Sequence, residues 1–157
     1  MKRGVIIVSL VCLLWIPAHA TLGETLGEIS KRYGKPEPQA KNSKSAATWF
    51  IEGEDGLLLY TVTFDPKGIS VGEGMKPVRY AKFSQATVQT FIAMQLAPYR
   101  DSQTVHTVKP GEKYTFRGKN YAAGSVETVM VDDANDLLIV WTQGAMPSVM
   151  AVRSVMM

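Results

Sequence analysis

Val126-Glu127-Thr128-Val129-Met130-Val131, then Asp132-Asp133-Ala134-Asn135-Asp136, then Leu137-Leu138-Ile139-Val140-Trp141-Thr142-Gln143 is the stretch that decides the fold. Two arms rich in Val, Leu, Ile and Trp are joined by five short polar residues, the pattern of an antiparallel hairpin with turn chemistry at its tip. In the second arm Leu138, Val140 and Thr142 alternate with Leu137, Ile139 and Trp141. Both sets are largely apolar, so this strand is expected in the interior of a sheet, covered on both faces.

The flanking segments extend the same pattern. After Gly144 and Pro147, residues 149–156 read as a last strand, and upstream residues 114–117 begin a strand with a turn at Gly118-Lys119-Asn120. Residues 99–113 form a long polar loop broken by Pro110-Gly111, with Val105 and Val108 as its short-strand positions. Such loops are where binding residues concentrate. Before it, Ser84 is a good N-cap with Phe83 and Val88 at staple positions; Val88, Phe91, Ile92 and Leu96 make a helical stripe, and Pro98 ends it.

A second hairpin is expected over residues 48–52 and 57–65, with glycines and acids at its tip. Tyr60, Val62 and Phe64 alternate with Thr61 and Thr63, as in a strand with one wet face. Asp65-Pro66-Lys67-Gly68 is a turn, and residues 69–71 return as a short third strand, followed by a glycine-broken connection and a strand or extended chain over residues 78–83. Residues 35–45 read as a solvated polar loop. Ahead of it, Thr21 and Glu24 have capping-box spacing, which predicts a helix start there, with Leu22, Leu26, Ile29 and Tyr33 on one stripe and Gly34 and Pro36 as its stop.

The fold class that follows is α+β: two helices packed on one face of an antiparallel β-sheet built from hairpins, in a single domain over residues 21–157. The order of helix, hairpin and short strand, then helix, strands and hairpin, admits a loose twofold repeat, although the halves do not align residue by residue. Two helices are too few for a doubly wound parallel sheet.

The chain has 157 residues, 17 Lys and Arg against 14 Asp and Glu, one Cys and two His. Its first 20 residues hold a basic Lys2-Arg3 start, an apolar run over residues 5–16, and Ala18 and Ala20 at the positions a signal peptidase reads. The run is shorter than the roughly 20 residues of a spanning helix. A cleaved signal peptide over residues 1–20 is therefore expected, giving a periplasmic or secreted chain that begins at Thr21 and has no transmembrane helix. Cys12 follows Val11 where a lipoprotein signal wants a small residue. Trimming removes Cys12, His19, Lys2 and Arg3, which leaves a nearly neutral domain without thiols. That excludes disulfides and thiolate chemistry, and it removes the basic footprint of nucleic-acid binding.

Few residues point to reaction chemistry. His106 is the sole mature histidine, set in the long loop near Asp101, Ser102, Thr104 and Thr107, but proximity along the chain is not a triad. The oxygens of Asp132, Asp133 and Asp136 are the candidate ligands should the hairpin tip hold calcium; Leu137 and Gln143 occupy the positions where an EF-hand needs Gly and Glu, so that motif is absent. The methionines toward the C-terminus, Met130, Met146, Met150, Met156 and Met157, have no repeating spacing and read as packing residues. No nucleophile elbow, phosphate loop, dinucleotide fingerprint or zinc-protease helix is present, so no catalytic residue, cofactor or metal is assigned.

Tyr33-Gly34-Lys35-Pro36, Trp49, Leu59-Tyr60-Thr61-Val62-Thr63-Phe64-Asp65 and Gly68-Ile69-Ser70-Val71 together resemble small exported bacterial helix-plus-sheet domains. These are the outer-membrane assembly lipoprotein of the SmpA/OmlA type and the β-lactamase-inhibitor-like fold, and the likeness covers residues 21–72. The resemblance implies noncovalent binding of another protein at the cell envelope, without catalysis; the acylated cysteine of the lipoprotein is missing here. The expected function is thus protein–protein binding in the envelope, with an unidentified envelope protein as partner. Tyr99 and Arg100 are the candidate contact residues, because Tyr and Arg dominate binding hot spots. A periplasmic domain for a small ligand or metal, and a carboxylate-dependent hydrolase, are the alternatives.

Overall fold

Thr25 opens the first helix, four residues later than its sequence places it. In the computed structural model, which describes residues 22–38, 45–53, 56–79, 83–99 and 104–154, helix α1 spans Leu26–Tyr33. The Thr25 hydroxyl accepts from the Glu28 N–H while the Glu28 carboxylate accepts from the Thr25 N–H and hydroxyl, a complete capping box. The start at Thr21 and Glu24 is therefore corrected. Thr21 lies outside the described residues, Gly23 takes a φ of 95°, and Glu24 turns its carboxylate to Arg32 instead of to the backbone. Ahead of the helix, Thr25 bridges to Ile69, so this segment is an extended tether to the sheet. Gly34 ends α1 as expected, with a φ of 80° and its N–H on the Ser30 carbonyl.

The strands are β1 (Ala46–Gly53), β2 (Gly56–Phe64), β3 (Ser70–Pro77), β4 (Val105–Thr107), β5 (Lys113–Phe116), β6 (Lys119–Ala122), β7 (Glu127–Asp132), β8 (Leu137–Thr142) and β9 (Ser148–Arg153). Helix α2 (Gln85–Leu96) follows β3, with Ser84 as its N-cap, and a 3-10 turn at Ala97–Tyr99 closes it. Seven strands form one sheet in the order β1-β2-β3-β9-β8-β7-β4, every pairing antiparallel, and β5 pairs with β6 in a separate hairpin. The chain is thus a single α+β domain. The first six strands of that order are two three-strand meanders meeting at β3 and β9, each meander preceded by a helix; this is the form the loose repetition takes.

Two local expectations are overturned. The third strand is not short: β3 continues through Gly72 and Gly74, which are strand residues, and Val78 ends the ladder with its N–H on the Leu57 carbonyl. The register passes from Phe64 opposite Ser70 to Thr63 opposite Gly72, leaving Val71 as a bulge. The β5–β6 turn is at Arg117-Gly118, with φ of 53° and 73°, one residue earlier than read, because a two-residue hairpin needs positive φ at both central positions.

The sheet is covered on its helix side and, over the second meander, on the reverse side as well. On one, Trp49, Tyr60, Val62, Ile139, Val149 and Ala151 pack against Ile29 of α1 and Val88, Phe91 and Ile92 of α2. On the other, Val129, Val131, Leu138 and Val140 pack beneath Phe116, Val108 and Ala123, with Tyr114 and Tyr121 of the β5–β6 hairpin over them. Leu137, Leu138, Ile139 and Val140 are consecutively buried, as the doubly apolar alternation of β8 requires. Each such side chain contributes about 1.5–3 kcal/mol by leaving water. Among the described residues no helix is long and apolar enough to cross a membrane.

Candidate functional site

Of the residues singled out in the sequence, the structure brings His106 to Asp133 and Thr104 to Asp132, both at the β7–β8 tip. Tyr99 is half-buried in the 3-10 turn, packs against the helix-side core and lies beneath the Arg153 guanidinium at 5.4 Å. Arg100 lies outside the described residues, as do Ala18 and Ala20. Of the polar segment 35–45, Glu37 donates its N–H to the Thr48 carbonyl and so runs along β1, while Trp49 Nε1 donates to the Gly34 carbonyl at 3.0 Å.

At the β7–β8 tip the three candidate aspartates do different things. Asp132 is 1% exposed and both its oxygens are taken, Oδ1 by the Thr104 hydroxyl at 2.6 Å and Oδ2 by Asn135 Nδ2 at 2.8 Å. Asp133 is exposed, accepts from the Tyr114 hydroxyl and lies 3.9 Å from His106 Nδ1. Asp136 holds a left-handed backbone (φ 49°) that closes the turn. Among the described residues no three His, Cys, Asp or Glu side chains gather as a metal would need. The hydrogen bond to Asp133 pushes the Tyr114 phenol up to about 12, so that hydroxyl stays protonated at neutral pH. The hydrogen bond from Tyr114 to Asp133 braces the β5–β6 hairpin against the tip.

A polar group that sequence reading missed lies under the helices. Glu73 of β3 is 4% exposed and sits opposite Val62 of β2 and Ala151 of β9. Its Oε2 accepts from the Tyr60 hydroxyl at 2.8 Å and from Gln95 Nε2 of α2 at 2.7 Å. Burial pushes its carboxyl up to about 7, against the opposing effect of those two donors. Alternation along Val71-Gly72-Glu73-Gly74-Met75 carries the signal, since Glu73 shares the phase of Met75, but only once the glycines are recognised as strand residues.

The reverse face of the first meander is different again. Alternation puts Phe50 of β1 and Leu57 and Leu59 of β2 there, with Thr63, Gly72, Gly74 and Met150 alongside. Phe50 is 49% exposed and Leu57 39%. A shallow depression runs over Leu59, Thr61, Gly74 and Met150 where the glycine supplies no side chain. At the end of the sheet, an open cleft of about 330 Å³ is lined by Gly23, Lys67, Ile69 and Arg153 together with Asp65, whose Oδ1 accepts the N–H groups of Lys67 and Ile69.

No family model matches the chain, and no curated protein matches it in sequence. Among solved structures it is similar to a cysteine-rich secretory protein from Staphylococcus aureus subsp. aureus Mu50, at 10% identity and a TM-score of 0.41, over 85% of this chain and 45% of that one. The chain spans less than half the length of that structure, and a likeness this slight carries no argument about fold or activity.

Proposed function

We propose that this protein is an exported bacterial domain that acts without catalysis, binding an envelope protein through the reverse face of β1 and β2. The observation that carries the reading is Phe50, 49% exposed on a strand whose alternate residues, Ala47 and Trp49, are buried. In the second meander the same face of the sheet is closed by the β5–β6 hairpin, whereas Phe50 and Leu57 remain open to water. Exposed apolar side chains grouped on a sheet face are the usual mark of a binding surface. The partner that fits is a protein presenting an apolar strand or hairpin, which would lie over the first meander as β5 and β6 lie over the second. The basic start, apolar run and small residues at Ala18 and Ala20 support export.

The test places a photo-reactive side chain at position 50 and, as control, at position 119 of the β6 strand, in cells that make the natural partner. A single recurrent cross-linked protein from position 50 and none from 119, lost on replacing Leu57 with Ser while the melting temperature holds, is the expected result. Equal labelling from both positions, or labelling indifferent to Leu57→Ser, would overturn the reading. Sequencing of the purified mature chain is expected to begin at Thr21.

A further inference from the structure

We propose that Glu73 is held as a neutral carboxylic acid and forms a cyclic acid–amide pair with Gln95, a proton-dependent latch that fastens α2 to β3 and opens when Glu73 ionises. Three observations place it. Both donors that reach Glu73, the Tyr60 hydroxyl and Gln95 Nε2, go to the single oxygen Oε2. Glu73 Oε1 and Gln95 Oε1 are both buried, and neither finds a hydrogen-bond partner among the described residues. The two side chains are 4% and 1% exposed, so bulk water does not serve those oxygens.

An ionised carboxylate carries equivalent oxygens and draws donors to both; a carboxylic acid has one carbonyl oxygen that accepts and one hydroxyl that donates. The crowding of donors on Oε2 marks it as the carbonyl. A proton on Oε1 turns the first orphan acceptor into a donor, and the Gln95 carbonyl, bonded to the same carbon as the Nε2 already engaged, is the acceptor left for it. One proton thereby satisfies both buried oxygens, which native interiors rarely leave unpaired. Without the proton, two acceptors are buried with nothing to share between them.

The groups around the latch pull in both directions. From β2 the neighbour is Tyr60, a donor, beside the apolar Val62, and from β9 it is Ala151. From the α1 side come Glu24, whose charge opposes ionisation, Arg32, whose charge favours it, and Tyr33. The Arg32 guanidinium pairs with Glu24 through a terminal nitrogen and lies over the Tyr33 ring at 5.6 Å, while its Nε–H is buried and finds no acceptor among the described residues. Burial is the largest influence and works against ionisation, while the Tyr60 and Gln95 donors work for it.

The experiment compares the full chain with Glu73→Gln, in which an amide replaces the acid and can close the same ring with no proton to lose. In urea unfolding, the folded-to-unfolded ratio of the native chain is expected to fall on the order of a hundredfold as pH rises from 4.5 to 7.5, and that of E73Q to lack this fall. Infrared difference spectra at pH 6 are expected to show a protonated-carboxyl stretch in the native chain that E73Q lacks. A pH slope shared by both proteins, or no such band at pH 6, overturns the latch. Should E73Q fail to fold, the native chain alone decides: the band together with α2 amide exchange whose rate rises between pH 6 and 8 more steeply than the intrinsic chemical rate supports it, and the lack of either overturns it.

Discussion

The Cβ that Gly72 lacks would stand 2.5 Å from the Thr63 hydroxyl oxygen on the neighbouring strand. That oxygen also donates to the Gly72 carbonyl at 3.3 Å, so two strands meet more closely here than side chains on both would allow. Gly72 is therefore a packing residue of β3, adjacent to the Val71 bulge.

Replacing Gly72 with Ala is expected to destabilise the chain by about 1–3 kcal/mol through overpacking, since Thr63 is stiff at its branched carbon. Combining it with Thr63→Ala should recover most of that loss. Chemical denaturation of the two single variants and the double variant checks this through the coupling energy; additive losses would place the cost elsewhere.

Thr25→Ala removes the hydroxyl that serves the Glu28 N–H, and should cost about 1 kcal/mol. The backbone and side-chain hydrogen bonds from Thr25 hold the Glu28 carboxyl below its ordinary 4.5. Stability from this cap is thus complete above that value and lost as pH falls through the lower folded one. An acid titration of melting temperature on Glu28→Gln, with its acid limb flattened relative to the native chain, is the corresponding check.

Tyr114, raised to about 12 by its bond to Asp133, should resist forming tyrosinate until well above the ordinary 10. Because the folded value is the higher one, the stability from this pair is present below pH 10 and lost as pH rises toward 12. Ultraviolet titration of Asp133→Asn should return one tyrosine to ordinary behaviour.

Asp132 is the structural aspartate of the tip. Asp132→Ala removes the acceptor of the Thr104 hydroxyl and of Asn135 Nδ2, and should cost about 2–3 kcal/mol and loosen β4, which pairs with β7 through Val105, His106 and Thr107. Calcium should leave the melting temperature of the native chain unchanged, because both Asp132 oxygens are already engaged. A calcium-dependent rise would mean that the tip reorganises around an ion.

Both helices, the two hairpins and the doubly covered β8 were legible because each is written in nearest-neighbour chemistry: Gly34 and Pro98 stop helices, Ser84 caps one, and Leu137 to Val140 have no polar phase. Where two local signals competed the reading slipped. Thr21–Glu24 and Thr25–Glu28 share one spacing, and only the tether of Thr25 to Ile69 selects the second. Glycines at 72 and 74 read as a break until the height of Thr63 on the adjoining strand is known.

The functional features divide along the same line. Phe50 and Leu57 are apolar strand residues whatever surrounds them, and their exposure depends on a hairpin, β5–β6, that covers the second meander rather than the first. Glu73 in the sequence is an acid between two glycines; its partners Tyr60 and Gln95 lie 13 and 22 positions away, on another strand and on a helix. Local order along the chain sets periodicity, caps and turns, because those depend on residues within a few positions of one another. Burial, and with it the protonation of a carboxyl, depends on which distant surfaces close over it, so that part belongs to the tertiary structure alone.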